Sequence, residues 1–97
     1  MNSLPQPQHL INRLSVVVDA QLGEDHPDRA FAIKLCAEAI GFSWLLSRRL
    51  TDGHVGQRAR AAASLTLELA FPEMRAGVRH RLAVACEIIA TGAPVDL

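Results

Sequence analysis

Four histidines, two cysteines and ten basic side chains are the groups in this 97-residue sequence with chemistry to offer. Nucleophilic or general-base catalysis requires a base within hydrogen-bonding reach of a nucleophile or a reacting proton. His9, His26, His54 and His80 are dispersed, and none has a Cys, Ser or acid at a helical offset that would set the two side by side. There is no H-x-x-x-H pair and no glycine-rich phosphate loop. Cys36 and Cys86 fall on separate predicted helices without C-x-x-C spacing, which points to buried free thiols rather than a metal or redox pair. No catalysis, cofactor or metal is therefore expected.

The basic residues form two groups. Arg48, Arg49, Arg58 and Arg60, with His54, bracket one predicted loop between helices and could form an anion or nucleic-acid site, partly neutralised by Asp52 and Glu68. Arg75, Arg79, His80 and Arg81 lie on the last predicted helix. Arg81 falls inside an apolar stripe there, where a guanidinium requires a carboxylate, for instance from a partner chain. Ten basic and ten acidic residues cancel, so net charge gives no general attraction to nucleic acid or to an anionic membrane. Only one of the ten basic residues is Lys, and Ala is abundant; this usage reads as the high-GC coding bias of a bacterial protein.

The elements that must position these groups are helical. Pro7 suits a first helical turn, and Leu10, Leu14, Val17 and Val18 then share one face, predicting a helix over 7–21 closed by Gly23. Pro27 and Asp28 begin a second over 27–50, ended by Thr51-Asp52-Gly53. Its Gly41 is expected at a close backbone approach, since glycine costs about 1 kcal/mol against Ala in a helix interior. A third, over 55–69, carries the stripe Val55, Ala59, Ala62, Leu65 and Leu69. Pro72 then either kinks the chain or opens a fourth helix over 72–91, with Met74, Val78, Leu82, Ala85 and Ile89 inward and Gly92 at its end. Without credible strands, the fold is an all-α bundle of about four helices in one domain, with tails at 1–6 and 93–97 expected to be flexible.

Helix 27–50 is apolar around most of its circumference. Phe31, Leu35, Phe42 and Leu46 fall on one side, Ile33, Cys36, Ile40 and Trp44 on nearly the opposite one, and only Lys34, Glu38, Gly41 and Arg48 leave a polar strip. Such a helix belongs at the centre of a bundle or between two chains. A chain of this length buries only about 60–65 % of its unfolded surface, yet 49 % of its residues are apolar, so self-association is the simplest outlet. The face of Ile33, Cys36, Ile40 and Trp44, with Arg81, is the expected interface, and Trp44 its expected anchor.

The stretch Ala37 to Leu50, AEAIGFSWLLSRRL, resembles the helix-turn-helix of bacterial regulators: a small residue four before Gly41, then an apolar residue and Ser43, then a late Ser47-Arg48 pair. That resemblance implies a DNA-binding regulator using Arg48, Arg49, Arg58 and Arg60. It departs at the reading positions, where only Trp44, Leu45 and Leu46 separate the serines and base edges would meet large apolar groups. No apolar run reaches the ~20 residues of a membrane span, and the N-terminus lacks the charged start and apolar middle of a signal peptide. The expected protein is a cytoplasmic, homodimeric regulator or adaptor that binds and blocks a second protein, as an anti-activator or an inhibitor does; a secretion-type chaperone is the other protein-binding reading.

Overall fold

The computed structural model describes residues 7–51 and 53–92, and these form four α-helices and no strand: α1 (Pro7–Leu22), α2 (Arg29–Leu50), α3 (Val55–Ala70) and α4 (Ala76–Ala90). The expected tails at 1–6 and 93–97 and the loop residue Asp52 lie outside the described residues. Helices α2 and α4 each pack on all three others, whereas α1 and α3 flank them without meeting. The small all-α bundle expected from the apolar periodicity is the fold observed.

Three helix starts and stops follow from local chemistry. Gly23 closes α1 at φ +98°, a left-handed conformation that side chains resist, and its N–H donates to the Asp19 carbonyl at 2.9 Å. Helix α2 begins two residues later than the sequence predicts, because Pro27 and Asp28 sit in a turn in which the Asp28 N–H donates to His26 Nδ1 at 3.0 Å. Helix α4 begins four residues later than predicted. Pro72 opens a separate turn, closed by the Met74 N–H on the Phe71 carbonyl, and Arg75 is extended at φ −60° and ψ 139°. Pro72 thus separates α3 from α4 and does not kink one long helix.

The core is assembled from Leu14, Val17 and Val18 of α1, Ile33, Cys36 and Ile40 of α2, Leu67 of α3, and Leu82, Cys86 and Ile89 of α4. Small residues bring α3 against α4. Gly56 is buried, and a Cβ placed there would lie 2.8 Å from Thr91 Cγ2 and 3.0 Å from Glu87 Cγ. Gly41 is the reverse case: a Cβ there meets nothing within 4 Å, so the expected close approach does not exist. Gly41→Ala is accordingly expected to raise stability by about 0.5–1 kcal/mol through helix propensity alone, roughly 4 °C in Tm. Gly56→Ala should lower Tm despite the same propensity gain, and thermal melts of the two variants at one protein concentration check the contrast.

One ion pair ties α1 to α2. Arg29 donates through Nε to Asp19 Oδ1 and through Nη2 to Asp19 Oδ2, the latter at 3.1 Å. Arg29 is the first residue of α2, where the helix dipole disfavours a cation, and the Asp19 carboxylate offsets that. The hydrogen bonds from Arg29 hold the Asp19 carboxyl below its ordinary range. A depressed carboxylate stabilises the fold above its unfolded pKa, and the contribution is lost as pH falls through the folded value. Asp19→Asn should lower Tm at neutral pH and flatten the decline expected of the native protein below about pH 4; melts from pH 7 to 3 measure both.

Candidate interaction surface

Helix α2 divides into a small-residue face and a large-residue face. Ala32, Ile33, Cys36, Ala39, Ile40 and Ser43 are buried within the chain. Small side chains at positions 32, 36, 39 and 43 recur at helical spacing of four, three and four, which lets neighbouring helices come close. Ser43 sits fully buried among them, its hydroxyl donating to the Ile40 carbonyl at 2.8 Å, so it adds no unsatisfied group.

The expected interface is corrected by this arrangement. Ile33, Cys36 and Ile40 are 6 % exposed or less and form the chain's own core. Trp44 is half-buried, and its indole Nε1 donates to the Ala90 carbonyl at 2.8 Å. That carbonyl belongs to the last turn of α4, where no helical N–H remains to satisfy it, so Trp44 ties α2 to the end of α4. Arg81 is exposed, and its Nε donates to Gln21 Oε1 at 2.6 Å, joining α4 to α1. Within the single chain, the group that its Nε meets is thus an amide.

The opposite face of α2 is the open one. Phe42 and Leu45 are each 58 % exposed and Phe31 is 47 % exposed, with Leu35 and Leu46 half-buried between them. Helix α3 also exposes large apolar groups. Its predicted inward stripe is also rotated: Ala59, Ala63 and Leu67 face the core, whereas Leu65 and Leu69 are exposed, Leu69 to 75 %. Arg58 occupies the same side of α3 as Leu65 and Leu69, and its Nη1 donates to Ser47 Oγ of α2 at 2.9 Å, so that side borders α2. At the other end of the helix pair, Phe31 meets Phe71 edge to face, with ring centroids 5.5 Å apart and planes at 74°. The two contacts make α2 and α3 antiparallel.

Below Phe31 and Phe71 this surface runs into an open groove of about 870 Å³, where Leu22, Met74 and Val78 mix with His26, Glu73 and Arg75. Among the described residues no three His, Cys, Asp or Glu side chains converge as a metal set. Cys36 and Cys86 are free and buried; the neighbouring Cys36 thiol, then burial, pushes the Cys86 pKa up, which holds it as an unreactive thiol.

The four arginines of the anion candidate do not converge. Arg58 is engaged by Ser47 on one side of α3, while Arg60 Nη1 pairs with Glu87 Oε1 of α4 at 3.2 Å on the other. Arg48 and Arg49 are exposed at the end of α2 and diverge by about 100° around its axis. Nor does Ala37 to Leu50 contain a turn: it is continuous within α2, and Gly41 lacks the positive φ of Gly23, Gly53 and Gly92. The helix-turn-helix resemblance therefore has no counterpart in the fold. By length and mean composition alone α2, at 22 residues, is also long and apolar enough to cross a bilayer, although Lys34 and Glu38 interrupt its apolar run; in the bundle it buries one face against three helices.

Comparison with family models, with curated proteins and with solved structures finds no match for the chain.

Proposed function

We propose that the protein acts by association: a cytoplasmic, non-catalytic regulator whose α2 and α3 surface joins two copies and, in exchange for one of them, engages a second protein whose own interface it then blocks. One observation carries this reading. Phe31, Phe42, Leu45, Leu65 and Leu69 stand exposed on adjacent helices while the core is already complete without them. Large apolar groups held in water are unfavourable by about 25 cal/mol for each Å² that a partner could cover, and contiguous patches of them mark interaction sites.

The polar groups support the same reading. Every buried side-chain N or O among the described residues has a hydrogen-bond partner, and the dispersed histidines are half-exposed or exposed rather than aimed at a nucleophile. Light scattering across a hundredfold concentration range tests the association. The mass should rise from one chain towards two; a mass that stays at one chain throughout would remove the basis for the reading.

A further inference from the structure

The exposed face of α2 carries a regular pattern. Positions 31, 35, 38, 42, 45 and 49 alternate in steps of four and three, the spacing of a coiled-coil seam, and place Phe31, Leu35, Glu38, Phe42, Leu45 and Arg49 along one stripe. All are exposed or half-exposed. The two charges in the stripe, Glu38 and Arg49, make no ion pair or hydrogen bond within the described residues.

We propose that this stripe docks on the same stripe of a second copy, antiparallel, about a two-fold axis passing between positions 43 and 44. The inference rests on the association reading above and adds the occupant and the register. In an antiparallel pair centred there, residues whose numbers add to 87 face each other. Phe42 then meets Leu45 of the second copy, and Leu45 meets its Phe42, so the apolar centre is self-complementary. Glu38 meets Arg49, and Arg49 meets Glu38, giving two symmetric ion pairs about 8 Å along the helix from the axis on either side. A parallel pairing of the same stripes would put Glu38 on Glu38 and Arg49 on Arg49, like charges directly opposed in both places. A one-turn slip would set the charges against Phe42 and Leu45. Charge placement of this kind selects orientation and register more than it adds affinity.

Exchanging the charges tests the register. Glu38→Arg leaves only arginine at the two charged positions, and Arg49→Glu leaves only glutamate. Each variant alone should self-associate at least about tenfold more weakly than the native chain, because two attractive pairs become repulsive. Mixed in equal amounts the two should form a heterodimer. At one end of its seam an arginine of the first variant's stripe then faces a glutamate of the second's, and the same holds at the other end. The double variant Glu38→Arg with Arg49→Glu should recover native self-association. Both residues are exposed, and circular dichroism of each variant at the concentration used verifies the fold; the mixing experiment supplies the readout even if one variant is less stable.

A native chain that dimerises while both single variants dimerise equally well, with no preference for each other, would overturn the antiparallel register and leave the association reading standing. A native chain that remains monomeric at every concentration would overturn both. A monomer that instead floats with phosphatidylcholine vesicles would overturn the proposal in favour of a lipid surface as the occupant.

Discussion

Phe42→Asp is expected to abolish self-association over the accessible concentration range while leaving the monomer fold intact. The side chain is more than half exposed in the single chain, so its replacement removes little from the core. Substitutions of that kind change monomer stability by only about 0.5 kcal/mol. In a two-fold assembly the same substitution acts twice. Burying the exposed part of each Phe42 contributes about 1–1.5 kcal/mol, and two copies contribute about 2–3 kcal/mol, which is roughly a hundredfold in Kd. The introduced carboxylates add an uncompensated desolvation on top of that loss. Sedimentation equilibrium of the variant should therefore fit a single chain, with a helical spectrum matching that of native protein diluted to the monomer. A variant that still dimerises with native affinity would place the interface elsewhere.

Ile40→Ala, two positions away on the same helix, is expected to do the opposite. Ile40 is fully buried and belongs to the core cluster that joins all four helices. Its truncation leaves a cavity and should cost about 2–5 kcal/mol, which for a domain of this size lowers Tm by roughly 10–25 °C. Because association itself raises Tm with concentration, the melts belong at a fixed dilute concentration where the native chain is monomeric. A fall of less than about 0.5 kcal/mol, the range of surface substitutions, would contradict the assignment of this face to the core. The pair of variants separates the two sides of α2, one governing folding and the other assembly.

Element types and most boundaries were legible in the sequence because they depend on local chemistry. The apolar periodicity of α1, the glycine after it and the proline before α4 each act within a turn or two of where they stand. The side of α2 that enters the core depends on packing instead. Both sides carry large apolar groups, so periodicity alone could not rank them, and weighting Trp44 as an interface anchor favoured the side that the single chain buries in its own core. The deciding signal was the run of small residues at 32, 36, 39 and 43, matched on α3 by Gly56, Ala59 and Ala63. Close helix packing selects for small side chains, and the largest ones are left facing out. For the same reason the stripe expected on α3 is rotated in the fold, and Leu65 and Leu69 point to solvent. The arginine pairs failed for a different reason. Closeness in sequence to one loop does not make side chains converge when a helix turns them by about 100° per residue.

The outer face of α2 should pass from exposed to covered on assembly, and solvent access at its side chains is the quantity that reports on it. NMR with a soluble paramagnetic agent should broaden the Phe42 ring and Leu45 methyl signals in dilute protein and spare them in concentrated protein, while Ile40 methyls remain protected in both. Phe42 and Leu45 signals that stay equally accessible at every concentration would contradict the account.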